Sequence, residues 1–99
     1  MSQEAGQREV LLPHLERLLD SREYPKTICP SEVLRALSAA ELETTESSTW
    51  RDLMPEVRRM LWEMRHRGEV EILQKGSLVP EGIELEDLIG PIRARRAQG

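Results

Sequence analysis

Phenylalanine is absent from this 99-residue chain, and Trp50, Trp62 and Tyr24 are its only aromatic side chains. A core must therefore be built from Leu, Ile, Val and Met. Cysteine occurs once, at Cys29, which excludes an internal disulfide framework and fits a reducing compartment. No apolar run approaches the roughly 20 residues of a membrane span, and no charged-then-apolar leader resembles a signal peptide. These absences point to a cytoplasmic protein with no membrane role. Glycine-rich phosphate loops are missing. The two histidines, His14 and His66, have no Cys or carboxylate at metal-ligand spacing. No nucleophile motif stands out either. The expectation is a protein that is not an enzyme, with no metal, no cofactor and no identifiable small-molecule substrate.

The length fits one domain over residues 1–99, ordered from about 8 to 96. A domain of this size buries roughly 60–70% of its unfolded surface, enough for one core. The net charge of −4 argues against a generic nucleic-acid binder. Its distribution is uneven. Residues 1–49 carry five Lys/Arg against nine Asp/Glu, and residues 77–90 carry four acids and no base. Residues 50–76 are net +1, and residues 91–99 are net +3.

The stretch from Trp50 to Gly76 organises the chain. Trp50, Leu53, Val57, Met60, Leu61 and Met64 recur at spacings of three and four, one face of a helix. Thr49 with Asp52 suits a capping box, and Arg65, His66 and Arg67 complement the dipole in the last turn. Gly68 stops the helix. Glu69 to Ile72 then alternates as a half-buried strand does, and Lys75-Gly76 begins a turn. Pro55 divides the helix of residues 50–67 into an entry turn and a body. At about 100° per residue, Arg51, Arg58, Arg59, Trp62, Arg65 and His66 share the side away from the apolar stripe. Asp52, Glu56 and Glu63 border that side. Trp50 falls on the buried stripe and Trp62 about 120° from it.

Upstream, a helix is expected from about Glu9 to Arg22 after a frayed start at residues 1–8. Val10, Leu11, Leu15, Leu18 and Leu19 form its buried stripe. Pro13 suits only a first turn or a kink, which places the regular helix after Leu12. Thr27-Ile28-Cys29 is β-prone, and Cys29, with no cationic neighbour, is expected as a buried small hydrophobe. Pro30-Ser31 opens a short helix with Val33, Leu34 and Leu37 inward, ending near Ser38 or Ala39. Residues 41–48 form a polar loop, after one extra helical turn at most. Residues 77–90 form a wing with a helical turn near 84–88. A second strand follows over residues 91–95, with Ile92 and Ala94 facing in and Arg93 and Arg95 out. The fold class is mainly α (α+β). It is a winged helix-turn-helix with a three-helix core, a short strand and a two-stranded wing.

Three pieces of the chain resemble a family of small bacterial proteins catalogued as a domain of unknown function. They are Thr27-Ile28-Cys29-Pro30-Ser31-Glu32-Val33, then Trp50-Arg51 with Leu53-Met54-Pro55 and Val57-Arg58, then Gln74-Lys75-Gly76 with Gly90-Pro91-Ile92-Arg93. The resemblance covers about residues 8–96. It implies a winged helix-turn-helix fold and no established enzyme activity. The chain departs from the family in its acidic loop at 41–48 and its acidic wing from Glu81 to Asp87.

In winged-helix DNA binders the helix at this position enters the major groove, where arginine serves phosphates and guanine edges. The expected nucleic-acid contacts are Arg51, Arg58, Arg59, Trp62, Arg65 and His66, joined by Lys75, Arg93, Arg95 and Arg96 at the wing. The expected function is a small DNA-binding regulator that acts as a homodimer or beside a protein partner. The alternative is a protein-interaction module of the same fold, with the acidic surface used for a partner. In a purely structural reading of the side chains, Arg58 and Arg65 pair with Glu63, Asp52 or the wing, Trp62 covers the core edge or packs under the wing, and Arg93 and Arg95 pair across strands with Glu69 and Glu71.

Overall fold

The computed structural model describes residues 3–47 and 49–97. The first helix, α1, runs over Gln3–Ser21, six residues earlier than the periodicity predicts. Leu11, Leu15 and Leu19 are buried at the four-residue spacing of one helix face, while Val10 and Leu18 are half-buried. Pro13 lies inside α1 instead of at its start. Proline removes the bond to the carbonyl four residues back. Here Pro13 and Glu9 both lie on the exposed side, where water can take that carbonyl.

After α1, Ile28 makes a one-residue bridge to Ala94, with two main-chain hydrogen bonds of 2.7 and 2.9 Å. A short helix α2 follows at Pro30–Arg35, with Val33 and Leu34 buried. The first half of the expected loop at 41–48 is helical: α3 spans Ala39–Thr44, more than the single extra turn allowed for. Ser38 and Glu41 explain it. The Glu41 amide donates to the Ser38 hydroxyl, and the Ser38 amide donates to the Glu41 carboxylate, a full capping box. Ser48 lies outside the described residues.

Trp50–Leu53 forms a 3-10 turn, and α4 continues over Met54–His66 with Pro55 in its first turn. This is the division that Pro55 predicts. Leu53, Val57, Met60, Leu61 and Met64 are buried as expected. The end of α4 is a Schellman motif: Glu69 donates to the Met64 carbonyl at 2.9 Å and Gly68 to Arg65 at 3.0 Å. Gly68 has a φ of 76°, which glycine adopts without strain.

Strand β1 (Val70–Gln74) is central in an antiparallel sheet, with β2 (Ser77–Leu78) on one side and β3 (Arg93–Arg96) on the other. Lys75 and Gly76, both at positive φ, make the two-residue hairpin from β1 to β2. The short β2 is additional to the expected pair of strands. Ile92 and Ala94 face the core, as alternation predicts. Between β2 and β3, residues 79–92 contain one 3-10 turn, Leu85–Asp87. Helices and a three-stranded antiparallel sheet in this order are an α+β arrangement compatible with a small winged-helix-like domain.

The two tryptophans exchange the roles expected of them. Trp62 is 6% exposed and belongs to the core, whereas Trp50 is only half-buried. Trp50 precedes the regular α-helix, so a 100° step from α4 misplaces it. Trp62 does lie off the apolar stripe, but residues 79–80 come back over that side of α4. Trp62→Ala should therefore cost about 3–5 kcal/mol as a large-to-small core change, and Trp50→Ala clearly less. Denaturant melts of both variants would decide it. A larger loss at Trp50 would contradict this packing.

Candidate functional site

The outward side of α4 is the expected contact surface, and two neighbours occupy most of it. The first is the start of α1. Glu56, expected at the border of the outward side, is 4% exposed. Arg8 donates from Nε to Glu56 and from Nη1 and Nη2 to Glu63 at 2.8 and 3.0 Å. Arg59 reaches the second Glu56 oxygen at 2.6 Å. A carboxylate this buried is tolerated because both its oxygens accept from guanidinium groups.

The second neighbour is the segment between β2 and β3. Arg58 donates to the Gly90 carbonyl at 3.0 Å and to Leu88 at 3.4 Å. Arg65 donates to Val79 and Pro80 at 3.0 and 2.9 Å, with its guanidinium 4.4 Å from the Trp62 ring centre. Gln74 on β1 adds a bond of 2.7 Å to Ile89. Ile83, Leu85 and Leu88 pack against the core, and Glu81, Glu84, Glu86 and Asp87 point to solvent. The segment is thus an acidic strap laid along α4 and pinned by two of its arginines. Trp62 beneath it is no surface residue, and its Nε1 is buried without a partner among the described residues.

Of the other expected contacts, Arg51 is exposed and lies 4.9 Å over the Trp50 ring; Arg35 also stacks there at 5.6 Å. His66 is exposed, edge-on to Trp62 at 6.2 Å. Lys75 is exposed at the hairpin tip. The arginines of β3 turn toward their own chain. Arg93 donates to the Thr27 hydroxyl at 2.6 Å. Arg95 pairs with Glu71 at 2.7 Å and stacks on Tyr24, as the cross-strand alternative foresees. Glu69 pairs instead with Arg67. Arg96, expected to be available, binds Asp20 at 2.8 Å because β3 runs beside the end of α1.

Exposed on α4 are Pro55, Arg59 and His66, with Arg51 and Asp52 just before it, Arg67 just after it and Glu63 half-buried beside them. Acids and bases are mixed along this stripe, and Arg59 and Glu63 are paired with Glu56 and Arg8. Next to it lie two adjoining cavities of about 510 and 490 Å³. Cys29, Pro30, Leu88, Pro91 and Ile92 line the first, and Arg51, Pro55, Arg59 and Glu86 line the second. Met54, Arg58 and Leu85 belong to both. Cys29 is half-buried at this cavity wall, where the sequence predicts full burial, and accepts from the Ser31 hydroxyl at 3.1 Å. Composition gives no sign of Arg8 or the strap as site elements. The only hint is the inward spacing of Ile83, Leu85 and Leu88 among acids.

Among the described residues, no group of three or more His, Cys, Asp or Glu is arranged to hold a metal ion. No helix there is long and apolar enough to cross a membrane.

The bond from Arg8 holds the Glu63 carboxyl below its ordinary value of 4.5. A carboxyl whose pKa is lowered on folding stabilises the fold above its unfolded value. That contribution disappears as pH falls through the folded value. Arg8→Ala should cost about 1–3 kcal/mol, limited because Arg59 still reaches Glu56. Melts from pH 7 to pH 3 should show a shallower acid loss for Glu63→Gln than for the parent chain. Parallel acid limbs would show that this pair contributes nothing.

Comparison with curated proteins finds no match. A family model described as a protein of unknown function, DUF3253, matches residues 8–97. The matched stretch begins at the arginine that clamps α1 to α4 and runs through the strap and β3. The chain therefore belongs to this family.

Proposed function

We propose that this chain is a protein-interaction module of winged-helix form, and that it does not read duplex DNA through α4. The observation that carries the reading is the use of Arg58 and Arg65. Each gives two hydrogen bonds to main-chain carbonyls of the strap, which hold its guanidinium against the protein. To extend outward to a guanine edge in a groove they would have to swing away and release those carbonyls, which then need other partners. The strap also adds four exposed carboxylates beside α4. Charges within a Debye length of ~8–10 Å are poorly screened, so these acids would repel the duplex. The open stripe of α4 mixes both signs, and its arginines Arg59 and Arg67 are paired with Glu56 and Glu69, so it offers little net attraction in return.

The test is fluorescence anisotropy on a labelled random duplex, titrated from low to physiological salt. Electrostatic binding is strongest at low salt and falls steeply through counterion release. The interaction-module reading expects no binding even at the lowest salt. Binding that weakens steeply with salt and is reduced by Arg51→Ala or Arg58→Ala would overturn it and restore DNA recognition by this face.

A further inference from the structure

Resting on the interaction-module reading, we propose that the groove between α2, α4 and residues 85–92 docks an acidic, apolar peptide segment of a partner protein. The groove consists of the two adjoining cavities of about 510 and 490 Å³. Each falls within the roughly 300–1,000 Å³ of pockets that hold ligands, so each can take a large apolar side chain. The floor is Pro30, Met54, Leu85, Leu88 and Ile92, an apolar surface that favours aliphatic or aromatic anchors.

The charge on the rim selects the partner's sign. Arg51, Arg58 and Arg59 line the groove against a single acid, Glu86. In a chain of net charge −4 this is a locally positive cleft. Arg58 gives two bonds to the strap out of five N–H donors, so it is held in place and can still donate. A planar, fixed guanidinium suits a carboxylate, and an acidic segment would be steered toward the rim. A basic segment would meet Arg51 and Arg58, with Arg59 held by Glu56. A duplex is too wide to enter the groove, would meet the strap's four exposed acids and would gain nothing from the apolar floor.

A further feature marks the mouth of the groove. Ile89 is 89% exposed between Leu88 and Gly90, both groove residues. Its carbonyl is held by Gln74, so the side chain is presented from a fixed backbone. An apolar residue of the docked segment would cover it.

The experiment is selection of a displayed random-peptide library on the full chain, followed by binding of the leading synthetic peptide. Selected sequences should be enriched in Asp and Glu around Leu, Ile, Met or Phe. The peptide should shift amide resonances of Met54, Arg58, Leu88 and Ile92. Arg51→Glu should weaken binding by about tenfold or more, as loss of a central rim contact does. Ile89→Asp, at a position too exposed to disturb folding, should also weaken it. Lys26→Glu, exposed and not among the residues that line the groove, should leave affinity within about twofold. Failure to select any peptide, selection of basic peptides, or binding indifferent to Arg51→Glu and Ile89→Asp would each overturn the groove proposal. None of these outcomes touches the interaction-module reading, which stands or falls on the DNA titration.

Discussion

Residues 79–91 make one main-chain bond to the sheet, from the Val79 amide to the Ile72 carbonyl at 2.9 Å, and form no strand, yet their main-chain carbonyls need donors wherever water is excluded. Side chains supply them. Arg58 serves Leu88 and Gly90, Arg65 serves Val79 and Pro80, and Gln74 serves Ile89. Five carbonyls are thus held by three side chains from α4 and β1, in place of a sheet ladder. The rest of the outer architecture depends on this. The strap seals Trp62 into the core, closes one side of the groove, and presents its acids to solvent. The same bonds give two members of the basic arc, Arg58 and Arg65, a structural role.

The other side of α4 is governed by a buried carboxylate. Glu56 accepts from Arg8 and Arg59, and Arg8 continues to Glu63. These contacts fasten the start of α1, while Asp20 and Arg96 fasten its end to β3. Leaving Glu56 without its arginines would bury an unpaired charge, the costly case for such networks. Because so many arginines are spent internally, charge counted by sequence segment does not translate into surface field. Residues 91–99 are net +3 in sequence, but Arg93, Arg95 and Arg96 all bond to neighbouring segments.

The inner half of the fold is legible from local pattern. The stripe of α4, the break at Pro55, the stop at Gly68 and the alternation at Ile92 and Ala94 are short-range signals, and each has a local cause. Two errors are local too. Ser38 and Glu41 form a capping box that announces α3, and the polar composition around them masks it. Pro13 reads as a first turn or a kink, and the first of these moves the expected start of α1 too far along; an exposed proline can sit inside a helix whose freed carbonyl faces water. The outer half is not legible. Whether a helix face looks at solvent depends on segments 15 to 55 residues away in sequence: Arg65 on Pro80, Arg58 on Gly90, Arg8 on Glu63. No periodicity carries that information. The sequence therefore leaves the roles of Trp62, Arg58 and Arg65 open between contact with a ligand and packing against the wing, and the contacts with residues 79–90 decide for packing.

The resulting picture is a small α+β domain whose would-be reading helix is covered on two flanks, with an apolar, arginine-rimmed groove left beside it. Its central claim is that the strap closes over α4 in solution, and Trp62 reports on this directly. In a Trp50→Phe chain Trp62 is the sole tryptophan. Its emission should be blue-shifted and weakly quenched by iodide, and should move to the red when Arg65→Ala removes the clamp. Red-shifted, readily quenched emission from the unclamped and clamped chains alike would show an open helix face and contradict the covered one.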